Sequence, residues 1–299
     1  MTISAKRPCD RLFTGIGLAG LVAVGGCEDK GKISEKGAAT QIAAVVATVD
    51  RDVSELERGL PVGAGKAAAI LYASGDPRDN LSAVRKGLAK VQREVPDLTA
   101  AKSTFFALVD AKGVAVRNNL ESDVMGGRDL FALFPGLGEA IGKPMASAVG
   151  LFPEATTRAD AGVSTDPTWV AASAIRGHEG DAGAPKVLGY LTTGWSFRRF
   201  AYHLQEALRT EEKAKMLDKS DAKLAILYVA VFDENHVYTA PQTPQVNEAA
   251  LEKLGLFGRT GGALPTGVLE LEGRPFGWAA ARTPKWGPTL GVVLLRSEV

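Results

Sequence analysis

The sequence predicts an α+β fold in which N-terminal helices are followed by two antiparallel-sheet units joined by a helix. Three observations carry that expectation. Apolar residues recur at helical spacing through residues 38–60 and again through 81–91. A strand–turn–strand pattern opens at Phe105 and runs on into a short helix and further strands. After a charged helical run, the same order of elements returns from Leu224.

In the first helix Ile42, Val45, Val46, Val49, Val53 and Leu56 form one face, with Asp50, Arg51, Asp52 and Glu57 between them; Pro61 and Gly63 are expected to interrupt it. Ala67 to Ala73 adds a turn or two, and Gly75-Asp76-Pro77 punctuates the chain. Leu81, Val84, Leu88 and Val91 mark a further helix that stops before Pro96. Phe105 to Asp110 reads as an apolar strand, Ala111-Lys112-Gly113 as a turn and Val114 to Arg117 as a second strand. Asp129 favours the N-terminus of a short helix reaching Leu137. Scattered Gly and Pro make 135–167 loop-rich. Trp169 to Ile175 and Val187 to Trp195 are strands flanking a turn at His178 to Gly183. Phe200, His203, Leu204, Ala207 and Leu208 then follow helical spacing into the charged run Glu211 to Lys215.

The second unit repeats this order. Leu224 to Asp233 and Val237 to Thr239 are strands, Val246 to Leu254 is a helix, and Gly267 to Leu271, Phe276 to Arg282 and Leu290 to Arg296 are closing strands. Laid side by side, Trp169 to Ile175 matches Trp278 to Arg282, and Val187 to Leu191 matches Thr289 to Val293. The reading is a twofold structural repeat.

The first 27 residues read as an export address. Lys6, Arg7 and Arg11 form a positive region, and the apolar stretch Leu12 to Val24 is too short and Gly-rich to span a membrane well. It ends Val24-Gly25-Gly26-Cys27, which resembles a bacterial lipobox. That resemblance implies cleavage before Cys27 and its lipidation, leaving a mature body with no free thiol and 32 basic against 33 acidic residues. The expected organisation is a signal peptide at 1–26, a tether at 27–37, a helical segment at 38–96, a first unit at 97–198, a connecting helix at 199–219 and a second unit at 220–299. The expected location is the cell envelope, on the periplasmic face of either membrane or on the cell surface.

Thirty-five basic residues against 34 acidic ones give a formal charge of +1, with no electrostatic footprint for nucleic acid. A 45% hydrophobic chain builds a core, and two cysteines cannot form a disulfide scaffold or a four-thiolate zinc site. "GLPVGAGK" (59–66) misses the phosphate-loop pattern in spacing, in its final Ser/Thr and in lacking a preceding strand. His178, His203 and His236 have no metal-ligand spacing, and no Gly-x-Ser-x-Gly elbow is present. No enzyme, cofactor or metal is expected.

The element order, with "ALVDAKGVAVRNN" (107–119), "GGRDLFAL" (126–133) and "KVLGYLTTGWS" (186–196), resembles the double Cache sensor architecture, an extracytoplasmic relative of PAS domains. The resemblance implies two PAS-like units and a small-molecule ligand. Most members of that family continue into a membrane helix and a signalling module; this chain stops at Val299, so a membrane signalling protein is the expected partner. By position in the family, Arg117, Arg128, Asp129, Trp169, Tyr190 and Trp195 are the candidate ligand-binding residues, with Tyr238, Arg274 and Trp278 as weaker counterparts in the second unit. Arg suits a carboxylate through bidentate hydrogen bonds, and aromatic rings supply buried area. The family's amino-acid motif of Tyr, Arg, Trp-Tyr and Asp is absent at matching spacing. The alternative function is a structural or assembly lipoprotein that uses its repeats as a protein-interaction surface.

Overall fold

Helix α1 (Lys30–Leu71) begins where Asp29 accepts a hydrogen bond from the Gly31 amide at 2.9 Å and runs for 42 residues, about 63 Å at the helical rise. The computed structural model describes residues 29–73, 75–100, 105–153, 165–177, 186–216 and 224–299. The expected signal segment, Cys27 and the turn around His178 lie outside the described residues.

Two sequence expectations are corrected along α1. The polar stretch read as a tether is helical from Lys30, because Gly31 and Ser34 are buried rather than solvated. Pro61 does not break the helix either. It removes its own N–H, and the carbonyl left without a partner belongs to Glu57, an exposed residue whose backbone water can serve. Gly63 is a close-packing position: a Cβ there would stand 2.7 Å from Leu98 and 2.9 Å from Leu191.

Helices α2 (Leu81–Glu94) and α3 (Pro96–Ala100) pack against the C-terminal part of α1. The first sheet contains β1 (Phe105–Asp110), β2 (Ala115–Asn118), β3 (Ala146–Pro153), β4 (Thr165–Gly177) and β5 (Lys186–Ser196), in the antiparallel order β2-β1-β5-β4-β3. Between β2 and β3 lie α4 (Leu130–Leu133) and a 3₁₀ turn at Leu137–Ile141. The expected longer helix ends early at Pro135 and Gly136, the latter with φ 107°. β3 replaces part of the expected loop. It is an edge strand, where Gly150 and Pro153 are tolerated because one side of the ladder is free.

Helix α5 (Phe197–Met216) leads to β6 (Ile226–Phe232) and β7 (Val237–Thr239). Helices α6 (Gln245–Glu252) and α7 (Leu256–Arg259) precede β8 (Thr266–Leu271), β9 (Arg274–Arg282) and β10 (Gly291–Ser297). The second sheet has the order β7-β6-β10-β9-β8, the same winding as the first. The architecture is therefore the double PAS-like α+β fold: helices plus two five-stranded antiparallel sheets, with a long N-terminal helix.

Both sheets turn one face to α1, and these faces share one core that includes Ile42, Val49, Leu56, Leu60, Trp169, Trp195, Val231 and Leu294. The opposite faces form separate cores, one in each cup. The N-terminal part of α1 lies on the second sheet so closely that a Cβ on Gly277 would stand 1.9 Å from the Glu35 nitrogen. Between the units, Asp52 is 1% exposed and accepts 2.9–3.2 Å contacts from His203 Nε2 and Arg51, tying α1 to α5.

Gly277→Ala is expected to destabilise the fold by at least about 2 kcal/mol, because backbone rather than a movable side chain meets the new methyl. Thermal unfolding monitored by circular dichroism checks this.

Candidate functional site

Register decides what each cup contains. Asp110 and Asp233 close equivalent hairpins: each backbone N–H donates across its turn, to Val114 and His236 respectively, and each carboxylate accepts two loop amides. Counting strand pairs from these aspartates matches Gly194 with Leu295, Val170 with Trp278 and Thr168 with Phe276. Trp278 is thus the counterpart of Val170, not of Trp169, which corrects the side-by-side reading by one residue. The second cup is filled by its larger side chains: Trp278 and Phe276 are 3% and 6% exposed, and Leu295 is fully buried.

The smaller residues of the first cup leave a cleft of about 220 Å³. Phe105, Leu120, Val124, Met125, Phe134 and Phe152 form apolar walls, and Asn118, Ser122, Thr168, Ser196 and Arg199 supply polar groups. Asn118 is wholly buried: its Oδ1 accepts from the Leu120 amide at 2.9 Å, while its Nδ2 has no hydrogen-bond partner. An unmade bond at a buried amide costs about 1–3 kcal/mol, which makes this side chain the chemical signature of the site. Ser196 caps α5 by accepting from the Arg199 amide at 3.4 Å. Thr168 gives its hydrogen to the Asp166 carbonyl at 3.1 Å.

The sequence-derived candidates fall in three places. Arg117 stands behind the cleft wall, 3.1 Å from Asp123, and donates to the carbonyls of Leu120 and Glu121 at 3.0 and 3.2 Å. Asp123 in turn accepts from the amides of Met125 and Gly126 at 3.0 and 3.1 Å, so this pair shapes the loop carrying four cleft residues. Arg128 stands over the Phe152 ring, 5.1 Å from its centroid. Asp129 caps α4 through the Ala132 amide at 3.0 Å. Tyr190 shares the cup face, but six residues up β5 from Ser196, with its ring edge against Phe131 at 5.0 Å; burial pushes its hydroxyl pKa up.

Trp169 and Trp195 point the other way, into the α1 core. They stack at 4.7 Å, Trp195 stacks on Phe200 at 4.4 Å, and Trp286 of the second unit meets Phe197 and Phe200 at 5.3 and 5.0 Å. These rings join the units instead of lining the cleft. In the second unit Tyr238 donates to Asp233 at 2.8 Å, Arg274 is exposed on β9, and Trp278 fills its cup. Of the residues missed from sequence, Asn118 and Ser196 end β2 and β5, and Thr168 lies near the start of β4. Their only signal was a hydroxyl or amide closing an apolar run. Among the described residues, no group of acidic, His or Cys side chains is arranged to hold a metal.

One turn of α5 connects the cleft to the second unit. Beside Arg199, Arg198 forms a bidentate pair with Glu248 of α6 at 2.6 and 2.8 Å. Glu248 also accepts from the Thr239 amide and hydroxyl at 3.1 and 2.5 Å. Burial alone would raise the Glu248 pKa, but the hydrogen bonds from Arg198 and Thr239 outweigh it and hold the carboxyl at about 2.

No protein-family model and no curated protein matches this chain. Solved structures do. One is a domain of a protein described as sensory box/GGDEF family from Vibrio parahaemolyticus, 10% identical, covering 90% of this chain and 98% of that one with a TM-score of 0.54. Another is the extracellular domain of a protein described as a histidine kinase, vpHK1S-Z8, also 10% identical, covering 90% of this chain and 92% of that one with a TM-score of 0.56. At this identity the likeness is one of fold.

Arg117→Ala leaves Asp123 without its cation and is expected to cost about 2–4 kcal/mol, with amide exchange accelerated first in residues 119–126. Because the Glu248 pKa is depressed on folding, its contribution is complete above the unfolded carboxyl's value and is lost as pH falls from about 4.5 to about 2. Glu248→Gln should remove about 1–2 kcal/mol of acid-sensitive stability in that window, discounted because Arg198 keeps 37% of its side chain in water. Urea unfolding at a series of pH values measures the difference.

Proposed function

We propose that this protein is a lipid-anchored, extracytoplasmic sensor that binds a small molecule in the first-unit cleft, performs no catalysis, and acts through a membrane signalling partner. The observation that carries this reading is the unequal filling of two equivalent cups. At the equivalent position one strand frame is closed by Trp278, Phe276 and Leu295, its remaining space of about 100 Å³ lying at the Asp233 hairpin, while its copy keeps a cleft with the unpartnered Asn118 amide. A duplicated fold that served only as scaffold would have reason to fill both. The extracellular and sensory descriptions of the two solved relatives support the same reading.

The N-terminal end of α1 supports the anchor. Cys27 lies two residues before the Asp29 cap, and Ser34 accepts from the Glu298 amide at 3.2 Å. An acyl chain on Cys27 would therefore hold the second unit nearest the membrane and present the first unit at the far end of α1. Ligand contact at Ser196 and Arg199 would bear directly on the turn whose Arg198 grips Glu248, passing the bound state to the second unit. The alternative of an assembly lipoprotein draws on the more fully packed second cup and is separated from sensing by the experiment below.

Thr168→Phe copies Phe276 into the first cup. It should leave the folded protein intact and abolish the thermal shift given by any small molecule that binds the wild type. A ligand at one hundred times its Kd should raise wild-type stability by about 2.7 kcal/mol, roughly 4–5 °C for a chain of this size. A panel of organic acids, amines and purines that shifts neither protein would sink the sensor reading. For the anchor, mass spectrometry of the membrane-bound protein should find an acylated Cys27 at its N-terminus, and Cys27→Ser should release the chain from membranes.

A further inference from the structure

Given that the first-unit cleft is a ligand site, we propose that its ligand is a small carboxylate with an apolar body and no amino group. Asn118 sets the requirement. Its Oδ1 is committed to the Leu120 amide, which fixes the orientation of the side chain and leaves both Nδ2 hydrogens without an acceptor in a wholly buried residue. A ligand oxygen that reaches Nδ2 would supply that acceptor.

The remaining polar lining favours negative charge. Ser196 caps a 20-residue helix at the cleft, where the first-turn amides and the aligned peptide dipoles attract an anion. Its oxygen accepts from the Arg199 amide, and its hydrogen can be given to a ligand oxygen. The Arg199 side chain adds positive charge to the lining. Among the described residues no acidic side chain lines the cleft: Asp123 is engaged by Arg117 and two amides, and Asp166 on the same strand face lies outside it. An ammonium group would find only neutral hydroxyl acceptors such as Thr168, no carboxylate in the lining, and the Arg199 cation beside it.

The body of the ligand is fixed by the walls. Six apolar side chains, three of them Phe, surround a space of about 220 Å³, below the 300–1,000 Å³ usual for drug-sized ligands. A six-carbon acid matches this description, with its carboxylate toward Asn118 and Ser196 and its chain among Phe105, Phe134 and Phe152.

Isothermal titration of the mature protein with hexanoate, norleucine and hexylamine tests the assignment, since the three differ only in head group. Hexanoate should bind, norleucine should bind about tenfold or more weakly, and hexylamine should give no heat. Asn118→Asp keeps the acceptor for the Leu120 amide and exchanges the donor for a negative oxygen. It should abolish hexanoate binding and admit hexylamine, an exchange that loss of structure would not produce. Norleucine or hexylamine binding as tightly as hexanoate overturns the class, as does the absence of hexanoate binding at millimolar concentration. If such a competing ligand is itself blocked by Thr168→Phe, the cleft reading survives while the class falls. If Thr168→Phe blocks nothing that binds, the site assignment falls as well.

Discussion

One helix has to satisfy two sheets, and that constraint organises the molecule. The buried stripe of α1 runs Ala38, Ile42, Val45, Val49, Val53, Leu56, Leu60, Ala64, Ala67 and Leu71, stepping by three or four residues. Its first part rests on β9 and β10 and its last part on β4 and β5, so both units share one core. No tether separates helix from sheet: at Gly277 the α1 backbone occupies the space a side chain would need. The buried Asp52 in the middle of the stripe fixes the longitudinal position, because a carboxylate removed from water must keep its His203 and Arg51 partners.

With both sheets held by their α1 faces, the faces turned away are free to differ in how they are filled. There the same winding accepts small residues in one copy and large ones in the other. The exchange of Thr168 for Phe276 alters what the strand projects, whereas at Gly194 the backbones themselves are drawn together: a Cβ there would stand 2.1 Å from the Trp169 carbonyl oxygen. The loop over the first cup cannot be supported from a solid core beneath it. It is held from behind, by Arg117 gripping Asp123 and two carbonyls. An arginine that could have met a ligand instead keeps the cleft wall in place.

The junction between the units concentrates three kinds of interaction in the first turn of α5. Ser196 and Arg199 line the cleft, Phe197 and Phe200 enter the ring cluster with Trp195 and Trp286, and Arg198 reaches Glu248. Consecutive residues of a helix point in different directions, about 100° apart, so one turn can face a cleft, a neighbouring unit and a core at once. Packed aromatic faces resist gradual deformation, and a displacement of this turn would be passed on as a rigid movement.

The sequence by itself determined the amphipathic stripe of α1 and the recurrence of the sheet unit, and it carries a charged–apolar–small stretch ending at Cys27. Each is local: helical spacing, turn residues and a charged–apolar–small pattern can be read without knowing what packs where. It could not say which face of a strand looks into a cup. In β1 the residues Phe105 to Val109 are buried without a break, as are Gly189 to Ser196 in β5, because α1 covers one face and the cup core the other. Alternation, the signal that sets register, vanishes when both faces are apolar. Only the tertiary structure decided that Trp169 and Trp195 belong to the junction, that Arg117 is a strut, and that Asn118 is the polar group left waiting at the cleft. Those assignments turn on a one-residue register and on long-range burial, neither of which leaves a mark in the local pattern.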